Sequence, residues 1–379
     1  MNSKRIWLTL IFLGASVGSL STLKARLFGE SVPITGQWTL ELRSGGDVQF
    51  SIHRSWQGHS QYESSSGYAL NTFRGLTLST LQGSGTARFE FVRDAGSLEC
   101  EGTFRNGGGG GAFTFSGNPQ YVASMRALGY EGMDDERLFD LTLHDVSLAY
   151  IHELASLGYN HLPLDQLVDM RIHGVSTPYI RDFRGLGYNL SPDELVEMRI
   201  HGVTPEFATS LKGAGYGRVP ADQLVQLQIH GVTSEYMKGF QDMGYERIPL
   251  DDLVQLRIHG VTAEFADQLR GMGYGRLGAD QLVQLKIHGV SADFVKDLQG
   301  LGYKNVAVDD LVQLKIHGVS IGFIQDLKSY GYDHVPVSDL VEMRIHGVTA
   351  ATIQKLQAEG YRKLSIDEIV QLRIHGMVQ

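Results

Sequence analysis

Two hydrophobic periods divide the chain. Between about residues 35 and 116, apolar and polar positions alternate: Trp38, Leu40 and Leu42; Val48, Phe50 and Ile52; Leu76 and Leu78; Ala87, Phe89 and Phe91; Leu98, Cys100 and Phe104; Phe113 and Phe115. A period of two, enriched in aromatic and β-branched side chains, predicts half-buried antiparallel strands. Ser44-Gly45-Gly46-Asp47, Gly83-Ser84-Gly85 and Asp94-Ala95-Gly96 supply turns. The expectation is a small β-domain of roughly five to seven strands, a sheet, sandwich or partial barrel. The five glycines from Gly107 to Gly111 have the composition of a phosphate-cradling loop. Such a loop follows a strand and opens a helix, whereas strand-like Phe113-Thr114-Phe115 follows here. A flexible hairpin connection is the expectation.

From about residue 117 the period changes and the chain repeats. His144, His173, His201, His230, His259, His288, His317, His346 and His375 recur every 29 residues, with one step of 28 between His173 and His201. A fixed period of this length marks a stack of supersecondary units. In the unit from Val261 to Val290, Thr262 is placed to cap a helix, with Glu264 in its first turn. Phe265, Leu269 and Met272 share one helical face, and Gly273-Tyr274 closes the helix with a glycine and an apolar contact. Asp280 and Gln281 open a second helix whose expected apolar stripe is Leu282, Val283, Leu285 and Ile287, closed by Gly289-Val290. The equivalent stripe one unit earlier is Leu253, Val254, Leu256 and Ile258. Ser191-Pro192-Asp193-Glu194 has the form of a capping box with proline at the first helical position. Each helix is too short to stand alone in water, so the units must stack. The predicted fold class is α+β multidomain: a small antiparallel β-domain over 35–116, then an αα-solenoid of nine two-helix repeats over 117–379. Counting one period back from His144 reaches Phe115, so the last strand runs directly into the first helical unit and the β-domain is expected to cap the array.

Residues 1–30 are set apart. Lys4-Arg5 precede the apolar run Ile6 to Val17, and Gly18, Ser19 and Ser21 follow. That layout predicts a secretory signal peptide or an uncleaved N-terminal anchor, hence export to the periplasm or cell envelope. Membrane contact is expected only there.

Charge excludes one class of partner. Residues 1–118 carry ten basic and eight acidic side chains, whereas residues 119–379 carry 23 and 34. An acidic repeat region is a poor match for phosphate backbones, so no nucleic acid is expected. The single cysteine, Cys100, forms no disulfide within the chain and is expected to be a small buried hydrophobe.

The repeat histidines are the candidate chemistry. The residue four before each is Asp140, Asp169, Glu197, Gln226, Gln255, Gln284, Gln313, Glu342 or Gln371, always a side-chain acceptor. An i, i+4 bond from imidazole to that acceptor predicts a structural motif. A metal centre needs three or four converging ligands, and each unit offers one histidine, so no metal and no cofactor are expected. Nine equivalent copies are also unlike the single asymmetric constellation of an active site, and no catalytic motif appears elsewhere. His53 and His59 look like surface positions, and His152-Glu153 is an isolated pair. The second recurring feature is a basic residue two before the histidine: Arg171, Arg199, Arg257, Lys286, Lys315, Arg344 and Arg373. It reads either as a solvated cation at a helix end or as an interaction stripe for an acidic partner. Acidic residues opening the second helices, such as Asp251-Asp252 and Asp309-Asp310, are candidates to pair with it across units.

The run DDLVQLRIHGVTAEFADQLRGMGY, Asp251 to Tyr274, resembles tandem repeats of exported bacterial proteins. It is also similar to the repeat tails of some antirepressor-type, β-lactam-sensor-like membrane metallopeptidases. The resemblance covers about residues 115–379, and GTFRNGGGGGAFTF resembles the segment leading into those repeats. This chain has no HExxH and no set of membrane helices, so no catalytic residue carries over. The resemblance implies a bacterial envelope protein with a β-module and a helical repeat tail. The reading is therefore a non-enzymatic scaffold for a protein partner. The alternative is an envelope sensor whose β-domain takes a small molecule or glycan. A deep apolar pocket in that domain would favour the sensor, a filled core the cap.

Overall fold

The computed structural model describes residues 33–43, 45–56, 60–361 and 363–378. The N-terminal segment read as a signal peptide or anchor, and His59, lie outside them. The chain divides into two compact units, one through Thr177 and one from Pro178.

The first unit begins with seven antiparallel strands: β1 (Thr35–Leu42), β2 (Asp47–Trp56), β3 (Ser60–Ala69), β4 (Phe73–Arg74), β5 (Ser84–Val92), β6 (Gly96–Arg105) and β7 (Gly108–Gly117). Their spatial order is β3-β2-β1-β7-β6-β5-β4, so the first and last strands of the domain pair at its centre. The register lines the alternating residues up on one face. Trp38 opposes Ile52, Leu40 opposes Phe50, Cys100 opposes Phe113 and Leu98 opposes Phe115. That face is packed: Trp38, Phe50, Phe73, Phe89, Phe91 and Phe104 form a connected aromatic cluster, with Trp38 and Phe89 edge to face at 4.8 Å. Cys100 is buried among them, and burial pushes its thiol pKa up. Leu76 and Leu78, expected in a strand, instead lead into a short helix, Leu78–Gln82, capped by Thr77 and seated on the sheet through Leu81.

The glycine run is the first correction. Gly108 to Gly111 are not a flexible connection but half of the central strand, paired to β1 on one side and β6 on the other. The turn is Asn106-Gly107 alone, both at positive φ, the two-residue hairpin type. Glycine is required because of what lies on the strand. A Cβ at Gly109 would strike the Phe104 ring and one at Gly111 would overlap the Glu101 carbonyl, while on neighbouring β6 a Cβ at Gly102 would stand 2.6 Å from the Trp38 ring. The flat floor lets two large rings lie across the backbone.

Helix Asp135–Leu143 packs on β6 and β7, where Phe139 stacks on Phe113 and meets Phe115 edge to face. Arg54 holds it with two bonds to Glu136, 2.6 and 2.7 Å, and lies 5.4 Å over the Phe139 ring. The first helical layer is thus fastened to the sheet by stacking and a bidentate ion pair.

In the second unit, short helices alternate in two layers. The closing helices Pro192–Ile200, Ala221–Ile229, Leu250–Ile258, Ala279–Ile287, Val308–Ile316, Val337–Ile345 and Ile366–Ile374 stack in succession. So do the opening helices Pro205–Leu211, Ser234–Gln241, Ala263–Leu269, Ala292–Gly300, Ile321–Ser329 and Ala350–Ala358. This is an α+β chain whose helical part repeats. The 28-residue step has a local cause. The link Leu186–Ser191 between helices Thr177–Gly185 and Pro192–Ile200 is one residue shorter than the link before helix Leu164–Ile172.

Candidate functional surface

Each closing helix ends in the same way. His259 is the last half-helical residue, Gly260 turns the chain at φ 66°, and Val261 is fully buried. The Val261 N–H donates to the Leu256 carbonyl at 2.8 Å, and the Gly260 N–H donates to the Arg257 carbonyl at 3.1 Å. Those two bonds define a Schellman cap, and Val261 against Leu256 is its hydrophobic contact. The same pair of bonds recurs at Gly174-Val175, Gly202-Val203, Gly231-Val232, Gly289-Val290, Gly318-Val319 and Gly347-Val348. The glycine and valine do the closing. The histidine takes part through its backbone.

The histidine side chains divide unequally. His144 Nε2 lies 3.8 Å from Asp140 Oδ1, and His173 Nε2 lies 3.3 Å from Asp169 Oδ1. Burial holds the His144 pKa below its ordinary value, against the pull of Asp140. At His201, His230, His259, His288, His317, His346 and His375 the side chain makes no hydrogen bond or ion pair among the described residues. The expected i, i+4 fastening is present where the partner is aspartate and absent where it is glutamine or glutamate. His53 is exposed on β2.

The basic residues are the fasteners. Arg171 lies 5.1 Å over the Tyr150 ring, Arg199 5.1 Å over Tyr179, Arg257 5.0 Å over Tyr236, Lys286 4.1 Å over Phe265, Lys315 4.8 Å over Phe294 and Arg344 5.2 Å over Phe323. In every pair the ring belongs to the preceding opening helix. The same cations reach the preceding closing helix: Arg171 Nε donates to the His144 carbonyl at 3.1 Å, and Arg257, Lys315, Arg344 and Arg373 lie against Gly231, Gly289, Gly318 and Gly347. A cation over an aromatic face and beside a helix C-terminus is stabilised twice. Asp145 pairs with Arg171 at 2.7 Å, but the acids opening the later closing helices do not compete for the cation. Asp251, Asp252, Asp309 and Asp310 form no ion pair among the described residues.

Tyrosines add a second set of ties. Tyr150 donates to the Val175 carbonyl, Tyr179 to Val203 and Tyr236 to Val261, at 2.8 to 2.9 Å. Five of the tyrosines that close opening helices reach one repeat further. Tyr188 donates to Val219, Tyr216 to Ile248, Tyr245 to Leu277, Tyr303 to Val335 and Tyr332 to Leu364. Burial raises the pKa of these phenols, to about 12 for Tyr150 and Tyr236, where the neighbouring arginines pull the other way.

What remains on the surface is apolar. The isoleucine just before each histidine from His173 on, placed in the core by the sequence pattern, is exposed: Ile172, Ile200, Ile229, Ile258, Ile287, Ile316, Ile345 and Ile374 lie between 47% and 55% accessible, whereas Leu143 before His144 is buried. This corrects the stripe. Leu253 and Leu256 are buried, Val254 is half-buried, and Ile258 looks outward. At 100° per residue Ile258 sits about 160° from Leu256, on the far side of the helix. It lines up instead with Asp251 and Gln255, at i, i+4 and i+7. The same outward stripe is Asp193-Glu197-Ile200, Asp222-Gln226-Ile229, Asp280-Gln284-Ile287, Asp309-Gln313-Ile316 and Asp367-Gln371-Ile374, with Ser338-Glu342-Ile345 the exception in its first place. A helical wheel drawn on the nine-residue helix, with Val261 counted as the closing apolar contact, carries this signal.

The sheet presents a different surface. Its outer face has an open depression of about 570 Å³ bounded by Arg74, Arg88, Glu90, Glu99, Glu101 and Thr114. Arg74 pairs with Glu90 at 3.3 Å and Arg88 with Glu101 at 3.0 Å. Among the described residues no group of three or more histidine, cysteine, aspartate or glutamate side chains is arranged to hold a metal ion. No helix of the described residues is long and apolar enough to cross a membrane. Comparison of the chain with protein-family models, curated proteins and solved structures finds no match.

Proposed function

We propose that this chain is a non-enzymatic scaffold of the bacterial cell envelope whose helical repeats hold a protein partner. One observation carries the reading: an isoleucine at the same repeat position, half exposed in seven successive copies of the second unit, from Ile200 to Ile374. Scattered surface hydrophobes are ordinary, but a regular row of identical ones marks an interaction surface. The basic residues before the histidines are committed to rings and helix ends, so the contact surface is the isoleucine row and not a basic stripe. Export rests on the Lys4-Arg5 and Ile6-to-Val17 pattern, and the envelope setting on the resemblance of the repeats to those of exported bacterial proteins. The β-domain serves as the cap of the first helical pairs. Its packed aromatic core supports that role over the sensor alternative, which needs an apolar cavity.

The test is comparative capture. The full chain and a variant with Ile229, Ile258, Ile287 and Ile316 changed to Ser are displayed in the envelope and crosslinked. A partner recovered with the first and lost with the second, at unchanged helicity, supports the scaffold. Equal recovery by both, or recovery by neither, overturns it.

A further inference from the structure

We propose that the partner is a basic polypeptide segment lying across the closing helices, with apolar side chains seated between the isoleucines and cationic ones beside the aspartates. The inference rests on the scaffold reading and names the chemistry of what the isoleucine row holds.

Charge is the first argument. Every outward stripe except that ending in Ile345 places an acid two helical turns before the isoleucine, and Asp222, Asp251, Asp280 and Asp309 have no ion pair among the described residues. Where a closing helix carries a cation before the histidine, as at Arg257, it sits about 100° round the helix from the isoleucine and reaches the preceding repeat, while helix Ala221–Ile229 has Gln228 there. The stripe is thus apolar and acidic, with its own basic residues drawn away. An aspartate in the first turn is also favoured by the helix dipole, which accounts for the acid alone. It does not account for an isoleucine left in water on the same stripe.

The occupants that charge disfavours are specific. A second copy of this chain would set acidic stripe against acidic stripe, and like charges held opposite each other cost affinity. A bilayer rich in anionic lipid is repelled for the same reason. A basic segment is attracted over its whole length.

Spacing is the second argument. Stacked helices lie roughly 8–10 Å apart, so successive isoleucines recur at about that interval. A polyproline-type extended chain advances about 3.1 Å per residue with three residues per turn. Its every third side chain therefore returns to the same side at about 9 Å. An extended segment with an apolar residue at every third position, and lysine or arginine between, matches both the step and the charge.

The probe is a fluorescent 21-residue peptide of Leu-Lys-Lys repeats, titrated against the full chain. Its controls are a peptide of the same composition with the leucines in one block, and the Leu-Glu-Glu counterpart. The protein variants are the four-isoleucine serine set, an Asp222, Asp251, Asp280 and Asp309→Asn set, and a Glu206, Glu235, Glu264 and Asp293→Gln/Asn set on the opening helices. Binding of the periodic peptide at least tenfold tighter than either control, lost by tenfold in the first two variants and kept in the third, supports the proposal. Equal binding of the blocked peptide overturns the spacing, and equal loss in the third variant overturns the assignment to the closing helices. A stable dimer, seen by sedimentation and abolished by the isoleucine set, overturns the basic partner and makes a second copy the occupant. If envelope capture yields a partner dependent on the isoleucines while the peptide series shows no preference, the basic segment fails and the scaffold reading stands. If capture fails as well, both fall.

Discussion

Arg257 and Ile258 are neighbours in the chain, both exposed, and differ in what they touch. The arginine, which could sit in water at little cost, lies over the Tyr236 ring and against Gly231 of the preceding repeat. The isoleucine, which loses on the order of 1 kcal/mol of burial by standing half exposed, stays outside. The same exchange recurs at Arg171-Ile172, Arg199-Ile200, Lys286-Ile287, Lys315-Ile316 and Arg344-Ile345. What distinguishes the rows is the angle each residue makes with the next repeat. Hydrophobicity alone would have assigned them the other way round. A stack of short helices gains stability from whatever reaches its neighbour. A long flexible cation with an apolar stem reaches further than a branched aliphatic side chain. The row that stabilises the array is therefore the charged one, and the row left over is the one proposed to bind.

The largest expected effect tests the rings beneath the cations. The phenols that tie repeat to repeat have pKa values raised above 10 by burial, to about 12 for Tyr150 and Tyr236. Since the folded value exceeds the unfolded one, the stabilisation is complete below pH 10 and is lost as pH rises from 10 through about 12. Melting followed by circular dichroism should show a steep fall over that window, because the unfolded chain ionises first in many repeats at once. Tyr236→Phe keeps the ring under Arg257 and should flatten the fall by one tyrosine's share. A melting temperature level from pH 9 to 12 would show that these phenols are not buried ties.

Next in size is the contrast between inward and outward apolar residues. Leu256→Ala should cost about 2–5 kcal/mol, as expected for a fully buried leucine. Ile258→Ala should stay within about 0.5 kcal/mol, the range of an ordinary surface change. Hydrogen exchange in the Leu250–Ile258 helix reads both locally, which matters in an array whose repeats need not melt together. Equal losses would return Ile258 to the core and remove the binding row.

Arg257→Ala should fall between them, at roughly 0.5–2 kcal/mol for a cation over a ring and beside a helix end. Arg257→Lys should recover most of it, since Lys286 and Lys315 occupy the same place over Phe265 and Phe294. A loss the same size in a Tyr236→Leu background would mean the ring contributes nothing, and the cation row would revert to a solvated stripe.

Much of this was legible in the sequence where the determinants are local. Thr262 does accept from the Phe265 N–H at 3.1 Å, Ser191 and Glu194 do exchange capping bonds, and the alternating residues of β1, β2 and β5 to β7 do share one buried face. Caps and strand faces follow from residues two to five apart. What the pattern hid was non-local. LVQLRI has apolar residues on two sides of one short helix, and only the position of the next repeat tells which side is covered. Gly109 of β7 needed the ring of Phe104, and Gly102 of β6 the ring of Trp38, 64 residues earlier, to explain them. The cations needed rings 20 or 21 residues earlier in the preceding helix.

The histidines give the smallest expected effect and the finest test of the comparison. His173 stands 3.3 Å from Asp169 across one helical turn, while His259 has only Gln255 at the equivalent place and makes no side-chain bond to it. An exposed i, i+4 pair is worth about 0.3–0.5 kcal/mol. His173→Gln should therefore lower the melting temperature by up to about 2 °C. His259→Gln should leave it unchanged, because Gly260 and Val261 make the cap and the histidine contributes only its backbone. Differential scanning calorimetry on the two single variants reads this directly. If His259→Gln proved the more damaging, the imidazole would hold something at the outward face beside Ile258, and the histidine row would join the isoleucine row as binding surface.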